Sequence, residues 1–354
     1  MLRVWKVSVR PGKKGLMVGL KALCHARDIT LPDQRVAVLG DVHGNVGWMR
    51  MLAKALPHLA PDVTTILQLG DWWMPPGEID EALAETGITG IYVTGGNHEP
   101  WGEITPLLNR YPGEAIQVSS LTWLLPRPAR LTIGGRSVLS LGGASSVDRE
   151  SRVEGLTWWP QEAITDEHVA AAIAGGPADL MLTHESPADT PVRRVREILR
   201  TNPHRFPKAA LEASAASRAR VSEVWDAVNP ELLAHGHMHV GAGGQTADGR
   251  RVASLGREGH EWNLGFLDMN NLKMATPSLA ILRGYAEDAD GSRPTREWRM
   301  KSVAESLHSG VLDGLKPTPG ALHDAQDYID GVRTPEEIIE AVRRRHTRAP
   351  DKES

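Results

Sequence analysis

The sequence predicts an α/β protein with two β-rich regions and a small helical C-terminal appendage. Three observations predict it. Short apolar runs alternate with helical patterns over residues 35–100, and each run ends in polar residues. A section of closely spaced short strands with Gly-Gly turn signals follows, and a second strand-rich stretch covers 240–283. After a Gly, Pro and Asp-rich segment at 286–301, the pattern becomes helical, with two capping-box sequences.

Residues 1–34 carry no clear period and read as an N-terminal extension. Arg35 to Gly40 is a near-continuous apolar run, as a buried strand requires, and it ends at Asp41. Gly44-Asn45 opens a helical pattern through Trp48, Met51, Leu52 and Leu56. Thr64 to Leu69 is a second buried strand, ending at Asp71, and Glu78 to Thr86 reads as a helix. Ile91 to Thr94 is a third strand, ending at Gly96-Asn97-His98-Glu99. Three units in a row therefore place polar side chains past a strand's carboxyl end, where α/β sheets bind ligands.

Strands are expected at 115–118, 121–125, 129–133 and 137–141, then a Gly/Ser loop, Gly142 to Ser146, and the charged Asp148 to Arg152. A helix at 165–173, a strand at 178–183 delivering His184, and an Ala- and Arg-rich helix at 207–228 come next. Glu231 to Ala234 is a strand leading into His235-Gly236-His237-Met238-His239. Residues i and i+2 of an extended chain share a face, so His237 and His239 are expected to point into one pocket. In the tail, Ser302 with Glu305 and Thr334 with Glu337 fit capping boxes, and Pro319 and Pro335 fit first helical positions. Three helices are expected, at about 302–312, 319–330 and 335–346.

Bulk properties narrow the function. A net charge of −4 gives no general attraction to nucleic acid or an anionic membrane. The one cysteine, Cys24, excludes an intrachain disulfide framework and fits a reducing, cytoplasmic setting. No signal peptide is read at the start, and no run approaches the ~20 apolar residues of a membrane span. Eleven Trp stand against two Phe. Several lie beside the motifs, at Trp72-Trp73, Trp101 and Trp158-Trp159, to pack the core there or to wall a substrate groove.

The candidate ligands are Asp41, His43, Asp71, Asn97, His184, His237 and His239. Oxygen and imidazole donors without thiolate suit Mn, Fe or Zn rather than Ca or a structural zinc site. Seven ligands exceed one transition ion and suit two that share a bridge, an arrangement that can clamp a phosphoryl group.

Asp41-x-His43, Gly70-Asp71, Gly96-Asn97-His98-Glu99, an isolated His184 and Gly236-His237-x-His239 stand in the order of the calcineurin-like metallophosphoesterases. Residues 35–285 resemble that family. The resemblance implies an αββα two-sheet sandwich. It also implies a hydrolase that cleaves a phosphomonoester or phosphodiester with a hydroxide activated by two divalent ions. Manganese is foremost, and iron, zinc or nickel are also admitted. Asp41, His43 and His239 would hold one ion, Asn97, His184 and His237 the other, and Asp71 both. His98 would protonate or hydrogen-bond the leaving oxygen, with Glu99 or another acid orienting it. Some members carry a further Asp after the second motif, where this chain has Trp72-Trp73.

His235 precedes the motif and is expected to support or pack against the site rather than ligate. Arg149 and Arg152 are candidates for a phosphate oxygen or for a solvated surface, and His204 and Arg205 are weaker ones. Substrates implied are a phosphorylated small molecule, a nucleotide or a phosphoprotein, without a membrane.

The tail, 302–347, is similar to the small antitoxins of the VbhA type, which inhibit Fic-domain AMP transferases. Ser309-Gly310-Val311-Leu312-Asp313-Gly314 matches their inhibitory motif, with Asp313 where the family has Glu. The motif residues are Ser309, Asp313 and Gly314, and a Fic-type protein is the implied partner. The other reading is a tail that packs on the core or joins two copies.

Overall fold

The computed structural model describes residues 21–288, 299–300, 303, 317–330, 332–333 and 337–338. The chain divides into two compact units, Met1–Ala289 and Asp290–Ser354.

The first unit is built on two sheets. β3 (Arg35–Leu39), β4 (Thr65–Gln68) and β5 (Gly90–Val93) run parallel, with Ala37 beside Ile66 and Ile66 beside Ile91. Around them lie β1 (Ala22–His25), β6 (Glu114–Gln117), β7 (Thr122–Leu124), β14 (Leu264–Asp268) and β15 (Lys273–Ala275), in the order β1-β6-β7-β5-β4-β3-β14-β15. The second sheet runs β12-β13-β11-β10-β9-β8-β2. Its members are β2 (Thr30–Leu31), β8 (Ala129–Ile133), β9 (Arg136–Leu141), β10 (Leu180–Thr183), β11 (Leu232–His235), β12 (Ala242–Gln245) and β13 (Arg251–Ser254).

Alternation along the strands explains the layering. Val36 and Val38 of β3 join Leu180 and Leu182 of β10 and Leu232 and Ala234 of β11 in one core between the sheets. The intervening Ala37 and Leu39 face a second core, with Trp48, Met49, Leu52 and Leu56. Met181 and Leu233 face a third, with Val221, Val224 and Trp225. Strands buried on both faces need apolar residues at every position, and 36–39, 180–183 and 232–235 are buried throughout. The result is an αββα sandwich, as expected.

The helices cover the outer faces. α1 (Val46–Leu59) starts at Asn45, whose side chain accepts the Trp48 N–H at 2.8 Å, an N-cap worth about 1 kcal/mol. α2 (Pro76–Ala82) and α3 (Trp101–Arg110) pack on the same face, and α4 (Asp166–Ala174), α5 (Arg193–Thr201) and α6 (Lys208–Val228) lie with the second sheet.

The structure differs from the sequence reading in four places. Residues 22–31, read as an extension, supply an edge strand to each sheet; the strands are two and four residues long and give no usable period. The helix expected to reach Thr86 ends at Ala82, with Leu83 as its cap. α3 and α5 were not expected; α5 buries only Val195, and its apolar stripe of Val195, Ile198 and Leu199 at helical spacing stands among charged residues. α7 (Leu279–Asp288) replaces the end of the expected β region and the start of the linker. Its Leu282 is buried, and Tyr285 stacks on His58 of α1 at 5.0 Å.

In the second unit, α8 (Pro319–Ile329) begins at Pro319 as expected, and the Thr318 side chain accepts the Ala321 N–H at 3.2 Å. Arg333 pairs with Asp324 at 3.3 Å and with Asp327 at 3.5 Å. Ser309, Asp313 and Gly314, and most of the helices expected at 302–312 and 335–346, lie outside the described residues.

Candidate metal centre

Five loops at the carboxyl ends of β3, β4, β5, β10 and β11 converge on one point. Asp41, Asp71, Asn97, His184 and His43 are all buried. Their backbones are held tightly. The Gln68 side chain accepts the Gly70 N–H at 2.8 Å, and Asn263 donates to the Asp41 carbonyl at 2.9 Å. Among the described residues, positive φ outside glycine occurs at His43 (43°), Asp71 (54°), Trp73 (57°), His237 (61°) and His239 (54°), with five further positions elsewhere in the chain. Backbone strain of this kind gathers at functional sites.

Those φ values correct one expectation. His237 and His239 do not project from an extended strand: β11 ends at His235, and both histidines sit in left-handed turns. Their rings take different neighbours. His239 Nε2 lies 3.0 Å from Asp41 Oδ2, whereas the His237 ring lies 5.0 Å from that of His184.

Asp71 stands between two groups of donors. Its Oδ2 is 3.4 Å from His43 Nε2, and its Oδ1 is 3.4 Å from His184 Nε2. Asp41, His43, Asp71 and His239 each offer one ligand atom, all within 4.8 Å of one another, so these four could hold a metal ion. On the other side, Asn97 Oδ1 lies 2.9 Å from His184 Nε2. His184 Nδ1 lies 2.6 Å from the Leu69 carbonyl, which can only accept, so its proton is placed there. Nε2 of a neutral His184 is then a lone pair facing two oxygens, a repulsive arrangement unless a proton or cation lies among them. His43 Nε2 and Asp71 Oδ2 are buried and have no hydrogen-bond partner. Buried polar atoms without partners are costly, and this donor set fits a pair of cations.

The charges agree. Burial pushes the Asp71 carboxyl up, but His184 and His98 outweigh it and hold it well below its usual range. Burial depresses His184, yet Asp71 and Asp41 push it up to about 10. Burial likewise opposes protonation of His43, and the neighbouring Asp71 and Glu258 carboxylates raise it well above an ordinary imidazole. The site attracts positive charge.

Glu258 was not singled out in the sequence. Its Oε2 lies 2.9 Å from His43 Nδ1, and its N–H donates to the Asp41 carbonyl at 2.8 Å. A carboxylate behind a ligating imidazole fixes the ring and its tautomer. Glu185, buried beside His184, lies 3.9 Å from His237 Nε2.

His98 is buried beside the centre, with Nε2 3.9 Å from Asp71 Oδ2. Glu99 does not orient it. That carboxylate accepts the Gly96 N–H at 2.8 Å and the Trp72 N–H at 3.4 Å, bracing the motif's own turn. The group at His98 is Arg152, whose guanidinium lies 3.1 Å from Nε2. Arg152 is anchored by Asp148 at 2.6 Å, so it is neither solvated nor an unattached phosphate binder. Burial, and Arg152 against the pull of Asp71, hold His98 well below the ordinary imidazole range. Arg149 is half-buried in the turn before Arg152. His235 is fully buried, its Nδ1 2.9 Å from the Gly236 carbonyl, and it is not among the clustered donors. Trp72 and Trp101 pack the core, and Trp73 is half-buried, its ring 6.0 Å from that of His98.

Glycine is required where the loops touch. Gly70 has φ +99° and a Cβ there would meet His184 Nδ1; a Cβ on Gly236 would come 2.3 Å from Asp41 Oδ1. Gly236→Ala is therefore expected to displace Asp41 and weaken metal binding at least about tenfold, a loss comparable to that of a residue bracing a ligand. A metal titration of the folded variant checks it, and unchanged affinity would contradict the placement.

The Calcineurin-like phosphoesterase family model matches residues 34–241. The chain belongs to this family. Membership places it among phosphoester hydrolases, and the clustered donors are a metal-binding site of the kind those enzymes use. Residues 299–345 match the model Antitoxin VbhA, so the tail resembles that antitoxin domain. Solved structures similar to this calcineurin-like chain include a Thermus thermophilus protein, TT1561, at 14% identity and TM-score 0.43, covering 70% of this chain and 99% of that one. A dimetal phosphatase from Danio rerio is 10% identical at TM-score 0.44, covering 70% and 97%. Phosphopantetheinyl Hydrolase from Mycobacterium tuberculosis is 15% identical at TM-score 0.39, covering 64% and 91%. No curated protein matches the chain. No helix among the described residues is long and apolar enough to cross a membrane.

Proposed function

We propose that the chain is a dinuclear metallophosphoesterase. Asp41, His43 and His239 would hold one divalent ion, Asn97, His184 and His237 the other, and Asp71 would serve both. The observation that carries this is Asp71, with one oxygen 3.4 Å from His43 and the other 3.4 Å from His184. Such ions polarise phosphoryl oxygens and make water a nucleophile near neutral pH. The ligand chemistry favours manganese, with iron, zinc or nickel admitted.

The chain's own residues do the rest. Glu258 and the Leu69 carbonyl keep the His43 and His184 rings in their tautomers and orientations. His98 contacts the leaving oxygen. Arg152 donates to His98 Nε2, and an anionic phosphoryl group competes for that guanidinium. As the phosphate takes it up, Nε2 loses that donor and can accept a proton, which it must carry before it can donate to the leaving oxygen.

Metal loading is expected to release protons. In the metal-free protein His184 and His43 hold protons at pH 7, because their pKa values are raised. A cation must displace them, so loading at pH 7 releases roughly two protons, and affinity falls as the pH is lowered. Calorimetry in buffers of different ionisation enthalpy reads the release, and none would contradict these two ligands.

The substrate is a phosphodiester or phosphomonoester. Chelator-stripped protein supplemented with Mn, assayed on a nitrophenyl phosphomonoester and a bis-nitrophenyl phosphodiester, separates the two. Turnover of the diester alone points to nucleotidyl adducts, cyclic nucleotides or nucleic-acid ends; turnover of the monoester alone points to phosphoproteins or small phosphates. Metal-loaded protein with no turnover of either ester, or of any phosphoester tried, counts against the reading.

A second reading is favoured by the match at 299–345. There the tail binds a Fic-type protein in the cytoplasm, and the core acts beside it. Full-length chain added to a Fic AMP transferase is expected to slow AMP transfer; unaffected transfer by the Fic proteins of the same cell counts against it.

A further inference from the structure

The Gly/Ser loop after β9 is not explained by the metal ligands alone. Ser146 lies within it, and Glu162 closes the excursion that carries Arg152. Both are buried, as is Asn97, at 1%, 3% and 3% exposure, so water does not compensate a mispaired group there. Asn97 Nδ2 donates to Ser146 Oγ at 2.9 Å. Ser146 Oγ donates to Glu162 Oε2 at 2.7 Å, and the Ser146 N–H donates to Glu162 Oε1 at 2.6 Å.

The direction of this chain is fixed by its end. An ionised carboxylate only accepts, so both Ser146 protons point at Glu162. The hydroxyl then has only lone pairs left for Asn97, and the amide must present its NH₂ to Ser146. Its oxygen consequently faces His184 Nε2, 2.9 Å away. The two ends of an asparagine amide have almost the same shape. A flipped Asn97 would keep its packing while aiming two N–H donors at the cation position.

We propose that Ser146 and Glu162 are positioning residues that hold the Asn97 amide oxygen toward the ion shared with His184 and His237. The inference rests on the dinuclear reading above. Removing either residue weakens that ion's binding by lifting the penalty on the flipped amide.

The test is calorimetric titration of full-length, metal-stripped protein with Mn, at pH 8. Burial pushes Glu162 up to about 7, so it is ionised there. Ser146→Ala and Glu162→Gln are each expected to weaken one of the two binding events by about 10–100-fold, as for residues behind a metal ligand, and to leave the other within about twofold. Ser146→Thr keeps the hydroxyl and stays within about threefold of the parent, since the same bonds can form. A carboxylate has no wrong end. In an Asn97→Asp background, Ser146→Ala is expected to cost less than about threefold, a coupling that general loosening would not produce. Circular dichroism of the metal-free proteins establishes that each is folded, and Glu162→Gln carries the test if Ser146→Ala is not. Two ions bound by the parent and by Ser146→Ala with equal affinity overturns the positioning role alone. No ion bound by the parent overturns the dinuclear reading and this inference with it.

Discussion

Asp71→Asn is expected to lower kcat/KM on any phosphoester substrate by at least about a thousandfold, beyond the 10–100-fold of a residue behind the ligands, and to reduce bound metal. The carboxylate is buried at 1% exposure and sits between His43 and His184, with Oδ1 also accepting the His98 N–H at 2.9 Å. Asparagine keeps the volume but replaces one oxygen with an NH₂. That group would turn a donor toward either His43 or His184, so one cation position loses an oxygen and gains a like-signed dipole. The central negative charge is lost as well, and with it the pull that raises His184. Activity and metal content are measured on the same sample; full activity with metal retained would sink the bridging assignment.

The second large effect is at His98. His98→Ala is expected to cost about 10²–10⁴ in kcat, the usual contribution of a positioned proton donor or acceptor, with metal content unchanged. Its ring lies beside Arg152 and Trp73 and 3.9 Å from Asp71, but it is not itself in the clustered donor set of Asp41, His43, Asp71 and His239. The loss should be larger on an alkyl ester, whose leaving oxygen needs assistance, than on a nitrophenyl ester. Loss of metal would make His98 a ligand. Equal losses on the two esters would remove it from the leaving group.

The ligand candidates were legible because each follows a buried strand directly. Asp41, Asp71, Asn97 and His184 each lie within four residues of a run that is apolar on both faces, and the end of such a run is local information. What supports them was not legible. Glu258 meets His43 across 215 residues and Ser146 meets Asn97 across 49, so no local pattern announces either contact. Glu99 misled for the opposite reason. It is adjacent to His98 in the chain, but the tight turn folds its carboxylate back onto Gly96. His237 and His239 were read as a strand pair, whereas Gly236 ends the strand and the backbone turns left-handed at each histidine. β1 and β2 carry too few residues for alternation to register, whereas α5 does carry a helical face, Val195, Ile198 and Leu199, whose three residues were passed over in a run dominated by arginine. The fold was therefore readable where burial imposes a pattern and silent where pairing at long range does the work.

Metal stoichiometry coupled to hydrolysis tests the central claim most directly. Full-length protein stripped with chelator is titrated with Mn while bound metal and hydrolysis of a nitrophenyl phosphoester are followed together. The expected result is two ions per chain, as a shared-carboxylate centre requires, with hydrolysis rising as the second ion binds. Saturation at a single ion with full activity, or hydrolysis that persists without metal, would contradict it.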